Sequence, residues 1–377
     1  MPDSKASVAG LAGLREYRAG LYACFRRSRD ALFELGEALL VAWWVQTFVG
    51  LSQAPVFRRR WPSLYAALRD GQVDRAALQR LWVQQVPGSA DGDFLLVALD
   101  STPYPRPAAR TAADRTLVHV AAEGLALPRG VAPVKPGWQF SVVAQVPDTA
   151  SSATFILANE RIPSSQTPVE AGLAQLARLS AICAEERPER TIRCLLDAGY
   201  ATATWVAGLA AQAAAVQRAR VQAAAADSAP RPLAACLPYA CLVRAPANRV
   251  LYRAAPLATG KRGRPRRHGD RFQGKDPATH GTPDATWSGT VADGTARTVR
   301  CWTGLHLRAV PQLGITVVCL TRAGAAGTTR DPKDTWFWWI GDPLPPLADL
   351  ATLYDRRFRI EIRQPYYPYM SERQCVA

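Results

Sequence analysis

Two strand-length segments in this chain each end in an aspartate. Phe94–Leu99 (FLLVAL) leads into Asp100, and Thr191–Leu196 (TIRCLL) leads into Asp197. Runs of that length and character predict buried strands. A carboxylate at the end of a buried strand is costly unless it is paired or holds a cation. Capping the next turn is the ordinary account of any one such residue, and Asp197, ahead of Ala198, Gly199 and Tyr200, is placed to do that. Two of them in one basic chain point toward a shared cation. A third acid lies on a helix expected from Leu347 toward Arg363. At about 100° per residue, Leu347, Leu350, Tyr354, Arg357, Phe358 and Glu361 share one arc, so Glu361 falls on the side turned to the core. Glu361 can pair with Arg357, four residues earlier, or join Asp100 and Asp197 around cations. Three carboxylates suit two Mg²⁺ or Mn²⁺ ions, hard cations that prefer oxygen. One ion can activate a water or a 3′-hydroxyl while the other stabilises the leaving oxygen. That is phosphodiester chemistry, and it needs neither histidine nor cysteine.

Several elements must position those acids. Residues 1–90 read as a helical module for DNA binding or dimerisation, or as a cap on the main domain, with Leu14, Tyr17, Leu21 and Phe25 at helical spacing. Within it, the apolar run Ala38–Leu51 is 14 residues long, too short to span a bilayer, and predicts a buried helix. A basic cluster, Arg58-Arg59-Arg60, follows, and Pro62 and Ser63 can open another helix. Residues 91–249 alternate strands (Phe94–Leu99, Trp138–Val146, Thr154–Leu157, Thr191–Leu196, Ala240–Arg244) with helices (Pro168–Ala184, Ala201–Ala226), the pattern of an α/β core. From 250 to 342 short β-like pieces and a basic loop predict a β-rich insertion. Residues 343–364 return to helix, and Pro365 and Pro368 end it, leaving an irregular tail over 365–377.

Charge and composition exclude much else. Lys and Arg number 46 against 31 Asp and Glu, a net charge of +15, whose usual partners are nucleic acid or an acidic membrane. No basic amphipathic helix of the membrane kind is present, so nucleic acid leads. Eight cysteines are scattered without a CxxC pair and the histidines number four, which excludes zinc-ligand spacing and a disulfide framework and suits a reducing cytoplasm. Signatures of a nucleophile elbow, a phosphate loop or a dinucleotide fold are missing, as is a secretory signal pattern. The strongest positive stretch contains Lys261, Arg262, Arg264, Arg266, Arg267, Arg271 and Lys275. Its Arg262-Gly263-Arg264-Pro265 centre resembles the RGRP unit of AT-hooks, which enters narrow minor grooves. Plain phosphate contact or a solvated loop are the other readings. Trp336, Trp338 and Trp339 fit sheet packing, whereas Trp302 could stack on an unpaired base.

These residues resemble the catalytic core of a DDE transposase from a bacterial insertion sequence. Tyr354, Arg357 and Glu361 match the Y-x2-R-x3-E part of the Y-x2-R-x3-E-x6-K signature in the group whose ribonuclease-H-like core is split by a β-rich insertion. Similar wording occurs in LVALDSTPYPRP around Asp100, KPGWQFSVVAQV from Lys135, LLDAGYA around Asp197, and GKRGRPRRHGDRF with KDPATHGTPD. The resemblance covers about residues 90–361. It implies an α/β fold with a ribonuclease-H-like mixed sheet, Asp100 on the first core strand, Asp197 after the fourth and Glu361 on the helix after the insertion. It further implies two Mg²⁺ (or Mn²⁺) ions, nicking of double-stranded DNA at element ends, 3′-hydroxyl attack on target DNA, and a homodimer joining two ends. Tyr354 and Arg357 would contact DNA, and Arg106 and Lys135 would by position touch the scissile phosphate. One departure is clear: Pro368 stands where the signature has a lysine, so the tail reads as truncated or frameshifted. A catalytically dead DNA-binding remnant is the alternative, and a two-metal nuclease without strand transfer is a third reading.

Overall fold

The computed structural model describes residues 4–45, 47–86, 94–120, 133–147, 154–223, 232–256, 266–322 and 334–357. The chain divides between Pro87 and Gly88 into two compact units. Among the described residues no helix is long and apolar enough to cross a membrane.

The first unit is helical: α1 (Ser4–Cys24), a short β1 (Phe25–Arg27), α2 (Arg29–Val41), α3 (Phe48–Leu51), α4 (Trp61–Asp70), β2 (Gln72–Val73) paired with β1, and α5 (Arg75–Gln85). Local signals set the boundaries. Thr47 accepts from Gly50 N at the start of α3, Asp74 accepts from Ala77 N at the start of α5, and Pro62 sits in the first turn of α4. Leu35, Ala38, Leu51, Ala54, Phe57 and Leu64 form the core of this unit.

Two expectations change here. The run Ala38–Leu51 is not one buried helix: α2 stops at Val41, and Leu40, Trp43 and Trp44 are 79%, 78% and 63% exposed. Within α2 only the residues at helical spacing, Ala31, Glu34, Leu35 and Ala38, turn inward, so an unbroken apolar run overfills the stripe a helix can bury. The arginine cluster is also partly committed within the unit. Arg58 and Arg59 both bind the buried Glu34, with Arg59 Nη1 at 2.8 Å from its carboxylate.

The second unit is built on one large mixed sheet. In chain order its elements are β3 (Phe94–Pro105), β4 (Thr116–His119), β5 (Val134–Gln145), β6 (Phe155–Ile162), α6 (Pro168–Glu186), β7 (Thr191–Leu196), α7 (Ala203–Ala223) and β8 (Ala240–Ala245). There follow β9 (Val250–Tyr252), β10 (Arg271–Gln273), β11 (Ala285–Thr290), β12 (Ala296–Leu307), β13 (Val310–Arg322), β14 (Asp334–Ile340) and α8 (Leu347–Leu353). Strands β3, β5 and β6 form an antiparallel meander, while β7 and then β8 join β3 in parallel. The resulting order, β6-β5-β3-β7-β8, is that of a ribonuclease-H-like core. β8 pairs antiparallel with β14, and the sheet runs on through β13, β12, β9 and β10. The strands between residues 250 and 342 therefore extend the core sheet itself.

Helices cover the parallel strands because a strand buried on both faces needs them. α6 begins with a capping box between Thr167 and Glu170 and buries Leu173, Leu176, Leu179 and Cys183. Gln175, buried within it, donates to Ser141 O on β5 at 3.1 Å, fixing the helix against the meander. On the other part of the sheet, Arg297 of β12 holds the end of α8: its guanidinium donates to Ala351 O at 2.6 Å and pairs with Asp293 and Asp355.

Candidate active site

β3 and β7 lie side by side, with Phe94 opposite Thr191 and each following residue in step as far as Ala98 opposite Leu195. Carried two residues further, the same offset sets Asp100 beside Asp197 at the carboxyl ends of two parallel strands, where neighbouring chains are about 4.8 Å apart. Both aspartates are half-buried. Once the register is known the placement follows, because each strand runs directly into its acid.

Each carboxylate already has local partners. Asp100 accepts from Ser101 N at 2.9 Å and faces the guanidinium of Arg357 at 3.3 Å. Asp197 caps the single 3₁₀ turn Ala198–Tyr200 by accepting from Gly199 N at 3.0 Å. Capping was the ordinary reading of Asp197, and it holds here without withdrawing the carboxylate from its neighbour Asp100.

After α8 the chain tightens into one 3₁₀ turn, Tyr354–Arg357, in which every residue is tied down. Tyr354 packs on Phe337 with ring centroids 4.7 Å apart. Asp355 pairs with Arg297 and Arg322, and Arg356 donates to Pro147 O at 3.2 Å. Arg357, only 3% exposed, reaches Asp100. Tyr354 and Arg357 thus face the protein interior in this state, and Arg357 spends its charge on Asp100. Glu361, the third expected acid, lies outside the described residues.

Tyr200 is a site residue that spacing alone did not single out. Its ring is 3% exposed and lies edge-on to Trp205 at 5.3 Å. Burial, then the nearby Asp100 and Asp197 charges, push its phenol pKa up, with Arg357 opposing. The Cys194 thiol beneath is likewise pushed up by burial. The signal available in the sequence was only the DAGY wording of the turn.

A hard divalent cation fits this arrangement in kind: two carboxylates at the ends of neighbouring strands, partly open to solvent, with the enclosed Tyr200 hydroxyl on the turn that Asp197 caps. Among the described residues no three acid, histidine or cysteine side chains gather to complete a metal site.

The remaining expected residues are dispersed. Arg106 follows the end of β3, six residues beyond Asp100, or about 20 Å along the strand direction. There its guanidinium lies over the Tyr104 ring at 3.9 Å. Lys135, half-buried near the start of β5, pairs across to Val118 at the same end of the sheet. Lys261, Arg262 and Arg264 lie outside the described residues. Arg266, Arg267 and Arg271 are exposed at the β9–β10 edge, where β10 is six strand steps from β7, roughly 29 Å at 4.8 Å per step. Trp302 is not available for base stacking: it is 1% exposed, enclosed by Phe272, His280 and Trp336 at 5.3–5.8 Å. Trp336, Trp338 and Trp339 are buried in the sheet, as their strand context indicated.

The stem of the basic hairpin is closed by Arg253 N donating to Asp270 O and Gly269 N donating to Arg253 O, both at 2.9 Å. His268 beside it meets His306 of β12 at 2.9 Å between ring nitrogens, with the Tyr252 ring against both. Burial, then the neighbouring His268, push the His306 imidazole below its ordinary pKa. A histidine whose folded pKa is depressed contributes stability above its unfolded pKa of about 6.5 and loses it as pH falls below that. Amide exchange at Gly269 and Arg253 is therefore expected to accelerate, relative to the sheet core, between about pH 7 and pH 5. Constant relative protection across that range would contradict this role for the histidine pair.

Comparison with known proteins adds one match. The family model described as DDE superfamily endonuclease matches residues 20–235, more than half of the chain and including both Asp100 and Asp197. No curated protein matches the chain.

Proposed function

The chain belongs to the DDE superfamily endonuclease family, and on that premise we propose that it is a DNA transposase of the insertion-sequence type. In this reading it cuts DNA at element ends and joins the freed 3′-hydroxyl to target DNA. The observation that carries the proposal is the register of β3 and β7, paired in parallel as far as Ala98 opposite Leu195, two residues before Asp100 and Asp197.

Asp100 and Asp197 hold divalent cation, Mg²⁺ or Mn²⁺, with Glu361 as the third carboxylate. When bound, two such ions polarise the scissile phosphate and activate the attacking water or 3′-hydroxyl. Gly199 N keeps Asp197 turned along the strand end, and Ser101 N does the same for Asp100. Arg357 pairs with Asp100 at 3.3 Å and would be the cation nearest a phosphate held there, with Tyr354 fixing the turn it stands on. The net charge of +15 draws duplex DNA to the protein, and Arg266, Arg267 and Arg271, with Lys261, Arg262 and Arg264, add phosphate contacts away from the cut. Two copies hold two ends, and the protein works in the bacterial cytoplasm on nucleoid DNA.

A test separates transposition from plain hydrolysis. A duplex carrying a pre-cut element end with a free 3′-hydroxyl is incubated with the full chain, Mn²⁺ and supercoiled plasmid. Covalent joining is the expected product; hydrolytic nicks without joining would make the protein a two-metal nuclease. A second reading, DNA binding without cleavage, draws support from the Arg357–Asp100 pair, in which a guanidinium already occupies one carboxylate. Salt-sensitive DNA binding with neither nicks nor joining would establish it.

A further inference from the structure

The Tyr200 hydroxyl is enclosed and has no hydrogen-bond partner among the described residues. Buried polar groups are nearly always satisfied, and leaving one unmade is costly. A phenylalanine would serve packing here without that cost. Its place in the chain is beside the aspartates: Tyr200 ends the 3₁₀ turn that Asp197 caps, and its ring packs with Leu99, the residue before Asp100, against Gly172.

The fold holds the ring in that place from three sides. The 3₁₀ turn capped by Asp197 also carries Tyr200, so carboxylate and phenol are set by one local structure. Trp205, from the first turn of α7, meets the ring edge-on. On α6, Gly172 leaves the space it needs: a Cβ there would come within 2.6 Å of Leu99 and 3.3 Å of the Tyr200 ring.

We propose that Tyr200 is a positioning residue of the aspartate pair, its hydroxyl donating a hydrogen bond into the oxygen shell of a divalent cation held by Asp100 and Asp197. The inference rests on the cation-binding reading given above. Raised as its pKa is, the phenol stays protonated through the physiological range and is a donor throughout.

Thermal melting of the full chain with and without Mn²⁺ tests it, comparing wild type, Tyr200→Phe and Asp197→Asn. Without cation, Tyr200→Phe is expected to melt at or above the wild-type temperature, because the substitution removes an unsatisfied hydroxyl. With Mn²⁺ its upward shift is expected to be smaller, corresponding to about tenfold weaker binding. A Tyr200→Phe chain with the wild-type Mn²⁺ shift would overturn the proposal, whatever its melting point without cation. An ultraviolet difference spectrum of wild type on adding Mg²⁺ gives a check without any variant: a red-shifted tyrosine band is expected, and a flat spectrum contradicts it. The underlying reading fails separately, if wild type shows no Mn²⁺ shift or Asp197→Asn keeps all of it, and Tyr200 loses its role in either case.

Discussion

Asp197→Asn is expected to lower the rate of metal-dependent plasmid nicking by about 10³-fold or more, with DNA binding retained. The magnitude follows from the several kcal/mol that metal ions contribute to stabilising charge in phosphoryl transition states, each 1.4 kcal/mol being tenfold in rate. The substitution is a clean one. Asn caps turns about as well as Asp, so the hydrogen bond from Gly199 N survives and the 3₁₀ turn keeps its shape. What is lost is the negative charge. Asp100→Asn is expected to abolish nicking as fully but to disturb more, because it removes the carboxylate that faces the buried Arg357 at 3.3 Å. Gel assays on supercoiled plasmid, with circular dichroism to confirm folding, measure both. A folded Asp197→Asn chain that nicks at the wild-type rate would place the chemistry elsewhere.

The second large effect is on stability. Trp302→Ala is expected to destabilise the second unit by about 3–5 kcal/mol, the usual cost of truncating a fully buried aromatic residue. Trp302 stacks on Trp336 at 5.8 Å and touches Phe272 and His280, so its loss opens a cavity inside a four-ring cluster. Those neighbours are themselves fixed: His280 lies at 3.0 Å from Gln273 O through its ring nitrogen, and Phe272 is fully buried. The cluster has little freedom to collapse. Urea unfolding followed by far-ultraviolet dichroism gives the loss directly. Folded Trp302→Ala protein is expected to bind DNA as wild type does. Full stability with weakened DNA binding would instead put the ring against a base.

The elements that carry the acids were legible because each is a strong local pattern. FLLVAL is an apolar run of strand length, TIRCLL is a strand-length segment that ends apolar, and Thr167-Pro168 with Glu170 announces α6 by its capping chemistry. The register that brings Asp100 beside Asp197 is a long-range property, and no window of sequence contains it. The resemblance supplied the ribonuclease-H-like order, and the strand pairing now shows it. Single-segment reading failed where burial depends on a partner. Ala38–Leu51 looks uniformly apolar, yet which of its residues turn inward is decided by α4 and the Glu34–Arg58–Arg59 contacts. Arg357 shows the same limit. Four-residue spacing offered Glu361, which lies outside the described residues, and the structure adds a partner that no local spacing offers, Asp100, 257 positions earlier in the chain. Tyr200 was hidden for a different reason: a tyrosine in a turn is ordinary, and only its enclosed hydroxyl beside two carboxylates makes it notable.

Nicking of supercoiled plasmid by the wild-type chain, in parallel reactions with Mn²⁺, Mg²⁺ and excess chelator, tests the central claim most directly. The account predicts nicked circles with either ion and none with chelator. Intact plasmid in all three reactions, from protein that still binds the DNA, would contradict it.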